Sequence, residues 1–257
     1  GSGGIASTDS VLVVRDTAFE TNASGRYAIH VFGPASTLSL SNNTFGGTGS
    51  WARQIGLAVG AMTGADFTLV PQPTLDAYVL ARDYTVPLGR TMTVAAGTTI
   101  IPSPSAFVQG RLVTNGTAAS PVTFRGSRWT LVFDGGTGEL RGALLRDGGF
   151  NDPAVTVRNQ GTLLLERSRV VNSNRIRTEA STLTLRNTAF LDGYRTALEI
   201  TTGSTLAALH TTVARSADTA VVVQGGSTAT LTNTIFAASP RGVNADAASV
   251  ATLTNTL

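Results

Sequence analysis

The chain has 257 residues, of which 14 % are charged, with a formal net charge of +3; an ordinary soluble domain is roughly 25 % charged. All 19 basic residues are Arg, and so small and scattered an excess excludes the basic footprint of a nucleic-acid-binding protein. The lack of Cys excludes disulfides, thiolate chemistry and Cys-ligated metal, and no apolar run approaches the roughly 20 residues of a membrane-spanning helix.

Residues 1–5, opening Gly1-Ser-Gly-Gly, read as a linker or cloning remnant and leave an export signal an open question. Residues 6–65 carry the phrase Ser36-Thr-Leu-Ser-Leu-Ser-Asn-Asn-Thr-Phe45. It returns downstream as Ser181-Thr-Leu-Thr-Leu-Arg-Asn-Thr-Ala-Phe190, Ser204-Thr-Leu-Ala-Ala-Leu-His-Thr-Thr-Val213, Ser227-Thr-Ala-Thr-Leu-Thr-Asn-Thr-Ile-Phe236 and Val250-Ala-Thr-Leu-Thr-Asn-Thr-Leu257. Self-similarity at a period of 20 to 23 residues marks a solenoid, in which each repeat buries its apolar face only against its neighbours. Residues 6–65 are then coils of a preceding unit. Residues 66–83 are either a bulged coil or a joint, because Pro71 and Pro73 cannot donate to a ladder. Coils continue over 84–257, and the repeat stops at Thr256-Leu257, which predicts a C-terminally truncated slice of something longer.

Within the phrase the alternation has period two, Leu183 and Leu185 on one side and Thr182, Thr184 and Arg186 on the other. A second apolar run precedes each phrase, and Val155, Ile176, Leu198, Val221 and Val243 follow one another at spacings of 21, 22, 23 and 22. No helical run separates these strands, so a βαβ sheet is ruled out. A coil in which each strand pairs with its equivalent one turn later satisfies every backbone donor. Leu183, Leu185, Leu206, Leu231 and Leu253 are expected inside.

Two columns close the corners. Asp147, Arg167, Asn187, His210, Asn233 and Asn255, with Asp16 and Asn42 upstream, align as a ladder at a strand end. Asn side chains stacked at the roughly 4.7 Å strand spacing are expected to bond one to the next, with Asp147 and Arg167 as an ion pair. Phe150, Val170, Phe190, Val213 and Phe236, with Phe19 and Phe45 upstream, align as an apolar corner stack. Both columns read as structural.

The stretch Tyr84-Thr-Val-Pro-Leu-Gly-Arg-Thr-Met-Thr-Val-Ala-Ala-Gly-Thr-Thr-Ile100, followed by Val108-Gln-Gly-Arg-Leu-Val-Thr-Asn-Gly-Thr-Ala-Ala-Ser-Pro-Val-Thr-Phe124, is similar to the opening coils of β-helix modules in large bacterial secreted and surface proteins. Nearly the whole chain resembles the right-handed parallel β-helix family, the pectate-lyase-like superfamily in its broad sense. The resemblance implies an all-β, right-handed parallel β-helix with coils of about 20–26 residues. It also implies that cleavage of acidic polysaccharides must be considered.

Hydrolysis by such a fold needs facing Asp pairs, and a lyase needs clustered acidic calcium ligands with an Arg base. Arg175-Ile-Arg177 echoes one hydrolase signature with Arg in place of Lys, but no Asp-Asp occurs and neither His is flanked by Gly. Asp147-Gly-Gly-Phe-Asn-Asp152 reads as turn chemistry, and His30 and His210 are too far apart in sequence to suggest a metal site. No catalytic residue, metal or cofactor is therefore expected. The ligand-binding candidates are Tyr194 and Arg195, on the turn after Phe190, and Trp129, which like Trp51 reads as loop or cap packing first and as a surface for sugar stacking second. The outward Thr182, Thr205 and Thr228, with Thr184 and Thr230, form an array like that of ice-binding solenoids, in which Ala207 breaks the second column and Arg186 intrudes beside it.

The expectation is a non-catalytic rigid scaffold or stalk module of an extracellular bacterial surface protein, without nucleic-acid partners or membrane insertion. A glycan-binding adhesin module, meeting cell-surface glycans or neighbouring modules of the same protein, is the first alternative. A filament self-assembling end to end is the second. Polysaccharide cleavage and ice binding rank below both.

Overall fold

The structure, a computed structural model, describes residues 4–20, 27–49 and 51–257, so residues 1–3 of the expected linker lie outside the described residues. Every regular element among the described residues is a β-strand, and the strands stack in parallel as a solenoid of about 11 turns. One coil shows the plan. Leu198–Thr201 lies in an eight-stranded sheet, Thr205–Leu209 in a nine-stranded sheet and Thr212–Ala214 in an eleven-stranded sheet. Each pairs with its equivalents in the coils before and after. Val155, Ile176, Leu198, Val221 and Val243 are successive Cα partners, so the spacing seen in the sequence is the register of the eight-stranded sheet.

Strand alternation then fills the interior. Leu183, Leu185, Leu206 and Leu231 are at most 1 % exposed, each contributing about 1.5–3 kcal/mol by burial. Leu253 departs from expectation. It continues the column Leu185, Ala208, Leu231 but is 46 % exposed, because no described coil lies over it.

A coil with three strands needs three sharp corners, and most corners use a left-handed residue. After the nine-stranded sheet these are Arg167, Asn187, His210, Asn233 and Asn255, with φ of 49–51°, and upstream Asp16 and Asn42 at 50° and 51°. The conformation aims each N–H at the next coil: Asn187 N donates to Leu209 O at 3.0 Å and His210 N to Thr232 O at 3.1 Å. Asn and Asp tolerate this region better than other side chains. Backbone conformation, more than an amide ladder, accounts for the recurring Asn. Among the described residues only Asn255 Nδ2 to Asn233 Oδ1, at 3.2 Å, makes the expected bond between stacked amides of this column.

Asp147 does not belong here. Arg141, Glu166 and Arg186 are partners one residue earlier, which puts Gly142, φ 58°, in the place expected for Asp147. The strand Ala143–Arg146 intervenes, and Asp147 opens the following corner with Asn172, Asp192, Arg215 and Ala238, φ 49–59°. There it accepts a hydrogen bond from Asn172 Nδ2 at 2.7 Å and pairs with Arg146 at 2.8 Å, not with Arg167. The same offset displaces Phe150. The apolar column runs Leu145, Val170, Phe190, Val213, Phe236, while Phe150 is 54 % exposed with the Arg128 guanidinium 4.5 Å from its ring centroid.

Hydroxyls explain the rest of the phrase. The buried serine heading each repeat accepts from the coil before: Ser181 N donates to Ser204 Oγ at 3.3 Å, Ser204 N to Ser227 Oγ at 3.1 Å and Ser227 N to Ser249 Oγ at 3.2 Å. The residue after the left-handed Asn serves similarly, Thr188 Oγ1 donating to Leu165 O at 3.1 Å.

Residues 58–76 change the frame. Downstream, the strand preceding the phrase belongs to the eight-stranded sheet. Upstream, Ile29–Phe32 precedes Ser36 yet belongs to the eleven-stranded sheet, through Gln54–Leu57 and Ala77–Leu80. The long sheet therefore passes unbroken through 66–83. Val11–Arg15 with Thr37–Ser41, and Ala18–Glu20 with Thr44–Gly46, remain isolated two-stranded ladders. Side chains bridge the gap: Thr74 Oγ1 accepts from Phe45 N at 2.7 Å and donates to Phe45 O at 2.8 Å. The buried Tyr78 and Tyr84 hydroxyls donate to Val70 O and Ala61 O, each at 2.7 Å.

Candidate functional site

Catalysis by this fold would begin at carboxylates, and those on the faces of the eight- and nine-stranded sheets are tied up. On the nine-stranded face Glu139 lies between Arg111 and Arg141, and Arg141 continues to Glu166 at 3.0 Å. The Arg111 hydrogen bond, seconded by Arg141, holds the Glu139 carboxyl below its ordinary range despite opposing desolvation. On the eight-stranded face Arg158 does the same to Asp134 at 3.0 Å, with help from Asn159. Arg175 and Glu199 approach to 2.5 Å and Arg177 and Glu179 to 2.7 Å. Both contacts are ones of charge more than of aligned hydrogen bonding. A general acid at neutral pH needs its carboxyl pKa raised, and at Asp134 and Glu139 it is depressed. Among the described residues no three His, Asp or Glu side chains converge as metal ligands do.

A depression lies over the corner between the nine- and eleven-stranded sheets. It is an open groove of about 610 Å³ crossing five coils, with Gly142, Arg167, Asn187 and His210 marking the last four. Downstream corners need only two residues, as Asn187 and Thr188 do between their strands, whereas residues 116–121 make a longer turn. That turn, held by Ser120 N to Thr117 Oγ1 at 3.0 Å, contributes Thr117, Ala118 and Pro121 to the lining at the N-terminal end. Arg167, Arg169, Asn187 and His210 are exposed, while Ser168 and Thr188 beneath them are buried. Among the described residues neither Arg167 nor Arg169 has an ion-pair partner, and Glu166 is already engaged by Arg141. No carboxylate lines the groove. Two unpaired guanidinium forks on one coil suit a carboxylate or sulfate group.

Arg167, Asn187 and His210 are thus brought together on one surface, although their sequence pattern speaks only of a corner. Arg169 carried no signal of its own; it joins them because stacking places its strand beside that corner. The remaining candidates do not converge. Tyr194 is 45 % exposed with Arg195 exposed beside it, on the corner after Ala189–Leu191. Trp129 is not a surface residue at all. It is fully buried, donates from Nε1 to Arg146 O at 3.0 Å and lies near Phe124. Gly148 is required there, since a Cβ would stand 2.8 Å from the indole. Comparison of the chain with protein-family models, with curated proteins and with solved structures gave no match.

Proposed function

We propose that the chain is a non-catalytic, rigid scaffold module of an extracellular bacterial surface protein, built as a right-handed β-helix of the pectate-lyase-like kind. The observation that carries this reading is the engagement of its carboxylates. Asp76, Asp134, Glu139, Asp147, Glu166, Glu179, Asp192 and Glu199 all pair with Arg. Asp9, Asp66 and Asp246 hold backbone N–H groups. Carboxylates so engaged brace the coils and are not free to serve as a facing acid and base. An eleven-stranded ladder spans about 50 Å at the usual interstrand spacing, which suits a spacer, and a chain without Cys suits a wall-exposed protein stabilised by ladders alone. The test is turnover: incubation with polygalacturonate, alginate and neutral glycans, with and without Ca²⁺, should yield no new reducing ends and no unsaturated product. Either product overturns the proposal.

The groove favours a second reading, an adhesin module that takes an anionic glycan along Arg167 and Arg169. Retention on an immobilised sulfated or uronate polymer, lost in Arg167→Gln/Arg169→Gln, would support it. Retention unchanged in that variant would remove it.

A further inference from the structure

The outer surface of the upstream coils carries an aromatic cluster of Tyr27, His30, Phe32 and Trp51. His30 and Phe32 lie on the strand Ile29–Phe32, with ring centroids 4.0 Å apart. Tyr27 meets His30 edge-on at 5.1 Å and lies flat against Trp51, centroids 4.8 Å apart and planes within 15°. The stack rests on Gly56, where a Cβ would stand 2.4 Å from the Tyr27 ring, so a bare backbone lets the ring settle onto the sheet. Trp51 is the outermost member. It is 40 % exposed and is held by a tight turn in which Ala52 N donates to Gly49 O and Gln54 N to Trp51 O.

We infer that Trp51, supported by Tyr27, is a stacking platform for one pyranose ring of a neutral oligosaccharide. The face of an equatorially substituted pyranose presents C–H groups, which are attracted to the negative face of an aromatic ring. A Trp already immobilised by the ring behind it loses little freedom on binding. Among the described residues, the charges beside the platform point to a neutral ligand. Arg53 and Asp76 close on each other in a two-pronged pair, at 3.1 and 2.8 Å, and offer hydroxyl-binding edges without net charge. A stacked nucleobase would instead call for a free cation to meet its phosphate.

The chain supplies its own reporter, since it has two Trp and Trp129 is fully buried. Acrylamide therefore quenches Trp51 selectively. Titration with cellohexaose and with chitohexaose should shift the exposed emission to the blue and protect it from quenching. In calorimetry the heat of binding should vanish in Trp51→Ala and persist, weakened, in Trp51→Phe, with unchanged Trp129 emission certifying the fold of each. Failure of both hexasaccharides to protect Trp51 overturns the inference, as does binding that survives Trp51→Ala or protection by polyuridylate alone. None of these outcomes depends on the scaffold reading or on the arginine groove, which is tested by charged polymers.

Discussion

Asn187 separates two explanations of the corner column. Its φ is 49° and its N–H is bonded to Leu209 O at 3.0 Å. Its side chain is exposed and, unlike that of Asn255, makes no bond to a neighbouring amide. If backbone conformation is what the residue supplies, the cost of Ala is part of the roughly 1–2 kcal/mol of a left-handed non-Gly residue, because Asn already bears some of it. Asn187→Ala should then lose about 1 kcal/mol. Asn187→Gly escapes that strain but gains roughly 0.4–1 kcal/mol of freedom in the unfolded chain, so the two terms nearly cancel. For a domain of this size about 1 kcal/mol moves the melting temperature by ~2–4 °C. Circular dichroism through heat and urea should place the Ala variant a few degrees low and the Gly variant level with the parent. Midpoints are the quantity to compare, because a solenoid unfolds with limited cooperativity. If Gly destabilises as much as Ala, the side chain is the stabilising element and the conformational argument fails.

Leu185→Ala should cost ~2–5 kcal/mol through a cavity in the fully buried column, read as the urea midpoint; a shift within error would contradict the packing. Ser204→Ala should cost ~1–3 kcal/mol, since it strands Ser181 N and removes the bond to Thr201 O; an unaltered melting temperature would remove the serine ladder from the account. The carboxyls of Asp134 and Glu139 are held below their ordinary values of 3.8 and 4.5 by Arg158 and Arg111 respectively. Their contribution is complete above those values and lost as pH falls through the depressed ones. Melting temperature should therefore fall on acidification from the ordinary carboxylate range downward, and less steeply in Arg111→Gln/Arg158→Gln; equal slopes would refute the pairing.

Much of the fold was legible because the repeat has a physical cause at nearly every position. Leu183 and Leu185 reveal the interior by alternation, and Val155 through Val243 reveal the register by spacing. Asn187 and Asn233 mark the corner because few side chains accept its backbone. The serine of Ser204 was legible as a repeat but not as a donor–acceptor chain, since nothing in one coil shows what the next will offer it. Asp147 and Phe150 were misplaced because 142–154 contains two corners and a strand where periodicity suggested one corner. Packing is the first reading of Trp129, but its partners were not legible, for its pocket is made by Gly148, Phe124 and the Arg146 carbonyl, which meet only in space. The groove was hidden for the same reason, and the Trp51 platform depends on Tyr27 crossing to Gly56 on a neighbouring coil.

The passage of only the long sheet through residues 58–76 has a mechanical consequence. Hydrogen bonds between coils point along the axis of the rod, so axial tension loads them as a zipper, rung by rung. Elsewhere three ladders share that load, but between Gln54–Leu57 and Ala77–Leu80 only one of them is continuous. Pulled from its two ends, the molecule should part there at lower force than within 84–257 and release the upstream coils as one block. The two tyrosine anchors, Tyr78 and Tyr84, would then set the height of that first rupture.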